Sequence, residues 1–267
     1  MTPCKICGNH TELYDVVDLH KACNPENAYP QGLKGIPVYY ERCNVCGLIF
    51  TRHFDNYAPS DWARDIYNSE YKKFDPDYGG NRARRNARVL RILLSSHKTS
   101  VVGLDYGGGN GDLARLLRLA GFNFDCQDPF GVSEISSSKI GHYNLVTAFE
   151  VFEHLTDPIA VLASILDYMT HDSAIIIIGT AASDRRINVS SRLTWWYAAP
   201  RNGHVSLFSK RSLSALAQHF DLHYASPLAG THIMSRSPIP RAMLATLVLA
   251  KIAIKVEEVT LRIIGGA

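Results

Sequence analysis

Apolar residues in the middle of this chain fall in short continuous runs, each closed by glycine, proline or an acid, and helical patterns separate the runs. Val101–Tyr106 reads as a buried strand, Gly107–Gly111 as a glycine turn, and Leu113 to Leu119 as a helix. Gly121–Pro129 reads as a second strand that stops on an acid, and Tyr143–Phe149 as a further strand. Pro158 then opens a helix from Ile159 to Met169, as proline does at a first helical position. Ala174–Gly179 is another strand, too apolar for a sheet with a wet face and too short for a membrane span. A helix from about Lys210 to Phe220 follows, with Ser209 placed to cap it. Strands alternating with helices in this way predict an α/β fold, a doubly wound and mostly parallel sheet with helices on both faces.

Two further helices flank this core. One leads into the first strand and carries Arg82, Arg84, Arg85, Arg88 and Arg91, with Val89, Leu90, Ile92 and Leu93 as its apolar side. The bland reading is a solvated helix face; the sharper one has Arg82 or Arg85 reaching a phosphate of a nucleotide-linked or lipid-linked substrate. The other lies after Pro240 and is amphipathic, with Lys251, Lys255, Glu258 and Arg262 on one face. Its apolar stretch around Met243, Leu244, Leu247 and Val248 cannot span a bilayer. It is expected to pack on its own domain, to join a second copy of the chain, or to touch a membrane surface weakly.

The glycine turn carries the strongest chemical signal. Glycine permits a sharp turn and close approach of backbone to a ligand, and the following helix offers free N–H groups to that ligand. A nucleotide or nucleoside pocket at the end of a parallel strand is implied. The dinucleotide fingerprint would need glycine at 112, where Asp112 stands. Gly107, Gly109 and Gly111 instead give G-x-G-x-G, with Asp105 two residues ahead. This resembles motif I of class I S-adenosylmethionine-dependent methyltransferases. The acid ending the second strand would accept the ribose hydroxyls; Asp128 is the first candidate and Asp125 the fallback.

Further along, Glu150-Val151-Phe152-Glu153-His154 with Asp157-Pro158 resembles the E-V-x-E-H-x-x-D-P element of methyltransferases acting on small molecules, sugars and lipids. Gly203-His204-Val205 through Phe208-Ser209, before the capped helix, is similar to an element of the same subgroup. The resemblance covers roughly residues 60 to 230. It implies that Asp105, Gly107, Gly109, Gly111, Asp128, Glu150 and Glu153 serve the cofactor, Glu153 either binding the methionine amino group or ordering its loop.

Cys4-x-x-Cys7-Gly8 and Cys43-x-x-Cys46-Gly47 form two matched knuckles. Such pairs can place four thiolates about one structural Zn²⁺, a closed site with no position for catalysis. A redox pair is the main alternative, and disulfides fit less well because Cys23 and Cys126 look isolated and no leader is visible. A zinc module ahead of a methyltransferase domain is similar in layout to the sugar C-methyltransferases. The domains expected are a zinc module at 1–58, a methyltransferase domain at 59–235 and a C-terminal amphipathic helix at 236–267.

Composition narrows the partners. Net charge is +3 over 267 residues, and a zinc–tetrathiolate centre would lower it to about +1. That is no nucleic-acid footprint. A soluble cytoplasmic enzyme is expected, methylating a small-molecule acceptor such as a sugar or sugar nucleotide at oxygen or carbon. An alcohol or carbon nucleophile must lose a proton, and His204, with Tyr197 and His154 as rivals, is the candidate base. Trp195 and Trp196 form a pocket wall or part of the core. A nucleic-acid base methyltransferase with a zinc reader would carry an N-P-P-Y-like element where Ala148-Phe149-Glu150-Val151 stands. A non-catalytic S-adenosylmethionine-binding scaffold would have no need of both Asp105 and Asp128.

Overall fold

The computed structural model describes residues 2–75, 80–131, 133–135, 140–170, 174–184, 186–187 and 192–264, without the side chains of 258, 259 and 261–264. The elements run β1 (Thr11–Asp18), β2 (Pro37–Cys43), β3 (Ile49–Thr51), α1 (Pro59–Asp65), α2 (Tyr71–Phe74), α3 (Asn81–Leu93), β4 (Val102–Tyr106), α4 (Asp112–Leu119) and β5 (Asn123–Gln127). They continue with β6 (Leu145–Phe149), α5 (Pro158–Tyr168), β7 (Ile175–Gly179), β8 (Ser206–Leu207), α6 (Lys210–Gln218), β9 (His223–Leu228), β10 (Thr231–Ser235) and α7 (Arg241–Ile264). The chain folds as two compact units: residues 1–79, 150–164 and 179–221 form one, and residues 80–149, 165–178 and 222–267 the other.

The second unit holds the six-stranded sheet, in the order β5-β4-β6-β7-β10-β9. Strand β4 pairs in parallel with both β5 and β6, and β10 runs antiparallel to β7 and β9. This is the doubly wound, mostly parallel Rossmann-like sheet that the apolar runs predict. The runs are continuous because the strands are covered: every residue from Leu145 to Ala148 and from Ile176 to Gly179 is buried. Leu90 and Leu93 of α3, Leu113 and Leu117 of α4 and Leu247 and Ile254 of α7 pack with Phe124, Ile177 and Ile233 in one core. Each such side chain contributes about 1.5–3 kcal/mol by leaving water.

Because β5 and β6 flank β4 on opposite sides, the chain reverses its direction of winding at the end of β4, where ligands of open α/β sheets bind. Helix α7 packs on this unit's own core, through Leu247, Ala250 and Ile254. Lys251 and Lys255 lie on the same helix, while the side chains of Glu258 and Arg262 lie outside the described residues. On α3, Val89, Leu90 and Leu93 are buried as expected, but Ile92 is 44 % exposed, since it falls a quarter-turn off the buried stripe.

The first unit is built on a four-stranded antiparallel sheet, β1-β2-β3-β8. Its last strand comes from residues 206–207, far from the first three in sequence, with Ile49 opposite Leu207 and Phe50 opposite Ser206. Val38 and Tyr40 of β2, Ile49 of β3, Trp62 and Ile66 near α1, and Trp195, Tyr197, Val205 and Leu207 form its core. No helix among the described residues is long and apolar enough to cross a membrane.

Candidate functional site

Tyr106 ends β4, and Gly107, Gly109 and Gly111 all follow with positive φ, at 71°, 58° and 72°. That left-handed backbone strongly disfavours a side chain, so three glycines in five residues mark a turn that only this composition makes without strain. A Cβ on Gly108 would stand 2.5 Å from the Asp105 carboxylate and 2.6 Å from the Cys126 sulfur, so the loop lies directly on the ends of β4 and β5. Gly111 is the N-cap of α4, and no side chain caps the helix. Its first N–H groups and their partial positive charge therefore face the loop.

Asp105 is buried beneath the loop and accepts a hydrogen bond from Thr147 Oγ1 at 2.8 Å. Burial lifts its carboxyl to about 7; the Thr147 bond works against this and the Asp128 carboxylate adds to it. Asp128 lies just past β5. It accepts from Gly109 N at 2.8 Å and from Phe130 N at 2.8 Å, so its carboxylate braces the glycine loop. Asp125 accepts from the Tyr143 hydroxyl at 2.7 Å within the sheet.

Glu150, Glu153, His154, Tyr197 and His204 all belong to the other unit. Glu150 follows β6 with φ of 56°, a left-handed conformation costly for glutamate, and its N–H is held by the Gly179 carbonyl at 2.8 Å. Strain of this kind persists where surrounding structure enforces it and is concentrated at functional positions. Glu153, His154 and His204 each bring one ligand-type atom to within 4.8 Å of the others. His204 is 5 % exposed, and its Nδ1 donates to the Tyr197 carbonyl at 2.8 Å. His154 is half-buried and donates from Nδ1 to the Gly203 carbonyl at 3.0 Å. A carbonyl can only accept, so both neutral rings keep their basic lone pair on Nε2.

The Tyr197 ring lies 4.2 Å from that of His204, centre to centre, and its hydroxyl donates to Glu153 Oε1. Burial, reinforced by the Glu153 and Glu150 carboxylates, holds the Tyr197 phenol well above its ordinary range. It therefore stays protonated and acts as a donor.

The two cysteine knuckles close on each other. Cys4 and Cys46 sulfurs are 3.6 Å apart, Cys7 and Cys43 sulfurs 3.5 Å, and all four fall within 4.8 Å. All are free thiols. A tetrahedral centre with about 2.3 Å metal–sulfur bonds has sulfurs about 3.8 Å apart, so the donor set and its spacing fit zinc. Each knuckle is turned by its glycine: Gly8 N–H bonds the Cys4 carbonyl at 3.1 Å and Gly47 N–H the Cys43 carbonyl at 3.0 Å. Among the thiols, the Cys46 contact pushes Cys4 down, to about 5, and the same contact, with burial, pushes Cys46 up.

A family model described as a methyltransferase domain matches residues 78–226, more than half of the sequence. The chain belongs to the methyltransferase family. Similar solved structures include the plantazolicin methyltransferase in complex with SAH, at 18% identity, covering 68% of this chain and 82% of that one with a TM-score of 0.43. Another is the 1,6-didemethyltoxoflavin-N1-methyltransferase of Burkholderia thailandensis, at 14% identity, 75% and 96% coverage and a TM-score of 0.46. The mitomycin 7-O-methyltransferase shares 11% identity, with 68% and 60% coverage and a TM-score of 0.47. Comparison with curated proteins gave no match.

The methyltransferase places several residues around the histidines that no motif announces. Lys21 is buried, and its ammonium donates to the Trp195 and Ala198 carbonyls at 2.7 and 2.6 Å, clamping the turn that carries Tyr197. Burial lowers its pKa to about 8. The Cys23 sulfur stands 3.5 Å from His204 Nδ1, and burial drives its thiol pKa upward, so it remains neutral. Tyr40 donates to the His204 carbonyl at 2.6 Å, and the Tyr67 hydroxyl lies 3.3 Å from His154 Nδ1. Their only trace in sequence is composition, because each is brought in by tertiary pairing from a distant segment. The tryptophan pair divides: Trp195 is 8 % exposed and in the core, Trp196 is 41 % exposed.

Proposed function

We propose that the protein transfers a methyl group from S-adenosylmethionine to a small-molecule acceptor, a sugar or sugar nucleotide, at oxygen or carbon. The observation carrying the donor assignment is the left-handed glycine loop beneath an uncapped helix, braced by Asp128 and laid on buried Asp105. Asp105, the 107–111 backbone and Asp128 hold the donor; the resemblance adds Glu150 to this set, and Glu153 orders its own loop through the Tyr197 hydroxyl. S-adenosylmethionine supplies a methyl on a positively charged sulfur, which leaves as a neutral thioether.

The protein's own part is to align the acceptor, exclude water and take a proton. His204 Nε2 receives the acceptor proton. The Nδ1–H bond to the Tyr197 carbonyl fixes the tautomer and steadies the imidazolium that forms. Glu153 and Tyr197 hold the ring's position through the phenol hydrogen bond and the ring contact. His154 is the second reading for the base, favoured by its greater exposure.

The segment 1–58 acts as a zinc module, with Cys4, Cys7, Cys43 and Cys46 holding one structural Zn²⁺. Purified protein incubated with methyl-labelled S-adenosylmethionine and a panel of nucleotide sugars tests the assignment. Label transferred to a sugar supports it. Transfer only to oligonucleotides, or binding of the donor with no transfer to any acceptor offered, overturns it in favour of a base-modifying enzyme or a scaffold respectively.

A further inference from the structure

The first unit has a pocket of about 200 Å³ between the second cysteine knuckle and the start of α6. Arg42 and Asn44 line it from the end of β2 and the knuckle, Ser183 and Asp184 from the loop after β7, and Ser209 and Arg211 from α6. Three of these groups are already engaged. Asp184 Oδ2 accepts the Lys210 N–H at 2.7 Å, at the first turn of α6. Ser209 Oγ donates to the Cys46 carbonyl at 2.9 Å and accepts from Ser212 N at 3.0 Å. Ser183 N–H is taken by the Phe208 carbonyl at 2.7 Å.

The two arginines differ. Among the described residues, neither the Arg42 nor the Arg211 guanidinium makes a hydrogen bond or ion pair, although Glu12 stands opposite Arg42 in the strand register. By contrast, Arg64 of the same unit pairs with Asp61 and Asp65, Arg52 with Glu41 and Asp55, and Arg192 with Asp15. A pocket wall with two guanidinium groups free of hydrogen-bond partners, an amide from Asn44 and a single carboxylate engaged at a helix end carries net positive charge and selects an anion. Guanidinium presents its donors in a fork that matches phosphate oxygens two at a time.

We infer that this pocket binds the phosphate or diphosphate group of a phosphorylated small molecule, through Arg42 and Arg211. The pocket is tied by β8 to the histidine cluster: Ser209 lies five residues beyond His204, at most about 18 Å along the chain. An acceptor carrying a phosphate could thus be gripped at one end while the other meets the base. That second step rests on the proposed methyl transfer; the anion site itself does not.

Inorganic pyrophosphate titrated calorimetrically into the zinc-loaded protein at fixed ionic strength is the direct test. One site per chain is expected. Arg42→Gln and Arg211→Gln should each weaken binding at least about tenfold, and the double variant should abolish it. Arg211→Lys, which keeps the charge and loses the fork, should fall between. Zinc content, melting temperature and S-adenosylmethionine affinity of the same variants should stay at the wild-type level. Absence of pyrophosphate binding, or binding indifferent to the double variant, overturns the inference. So does loss of zinc in Arg42→Gln and Arg211→Gln alike, which would make the arginines neutralising groups for the thiolate centre. Pyrophosphate binding without methyl transfer to any phosphorylated acceptor would keep the site and remove its link to the reaction.

Discussion

The glycine loop and the histidine cluster are assembled by opposite means. The loop is contiguous, five residues whose function is carried by backbone conformation and by two acids at neighbouring strand ends. The cluster joins side chains from residues 21–23, 40, 67, 153–154 and 197–204, positioned by hydrogen bonds to main-chain carbonyls (Lys21, Tyr40, His154, His204) and to one another (Cys23 with His204, Tyr67 with His154, Tyr197 with Glu153). Backbone chemistry is written in local composition, because only glycine takes φ near +70° cheaply. Side-chain chemistry of the second kind depends on pairings that composition does not encode.

The largest effect should come from removing the zinc ion proposed for the Cys4, Cys7, Cys43 and Cys46 centre of the cluster's unit. In small zinc modules metal binding supplies on the order of 10 kcal/mol of folding free energy. Metal analysis should find one zinc per chain, and a chelator or Cys43→Ser should lower the melting temperature sharply. Zinc-free protein of full stability would remove the zinc module from the account.

The second effect is on rate. A positioned base is worth about 10² to 10⁴. His204→Ala should lower turnover on that scale, flatten the acid limb of the pH–rate profile and leave donor affinity unchanged. A loss below about tenfold with the limb intact would move the base to His154, and the same measurements on His154→Ala would then decide.

The third separates the loop from the cluster by pH. The Asp105 carboxyl, near 7 in the folded state, titrates about three units lower when unfolded. The folded state thus holds a proton that the unfolded chain gives up, so this group costs stability as pH rises from about 4 to 7, by at most about 4 kcal/mol. Denaturant unfolding of wild type and Asp105→Asn should show the variant gaining relative stability across that window. Parallel curves would mean that Asp105 is ionised in the folded protein.

The smallest expected effect concerns Trp196, whose substitution by alanine should shift stability by no more than about 0.5 kcal/mol, as at other exposed positions. A large loss would show that its edge-on contact with the Tyr197 ring, 5.4 Å between centres, carries more stability than its exposure suggests.

These contrasts track what could be read in advance. The sheet of the second unit was legible because its buried strands are uninterrupted apolar runs, as in Ile175–Ile178. Its antiparallel strand β10 was not, because Thr231–Ser235 is short and mixed in character. Strand β8 was hidden for another reason. Ser206–Leu207 is two residues long, and its pairing with β3 spans more than 150 positions. Motif spacing placed Glu153, His154 and His204 on the page, but the bond from Tyr197 to Glu153 and the Lys21 clamp follow from packing. Helix α7 packs Leu247 and Ile254 on its own core, where α3 offers them an apolar face, and leaves Leu249, Ile252 and Val256 exposed.

The central claim is that the 107–111 loop binds S-adenosylmethionine, and calorimetry on Gly107→Val tests it most directly. Valine at φ of 71° is strained and puts a branched side chain where the donor must approach. The account predicts one donor site per wild-type chain and no measurable binding in the variant, with its circular dichroism spectrum and zinc content preserved. Unchanged donor affinity in a folded Gly107→Val protein would contradict it.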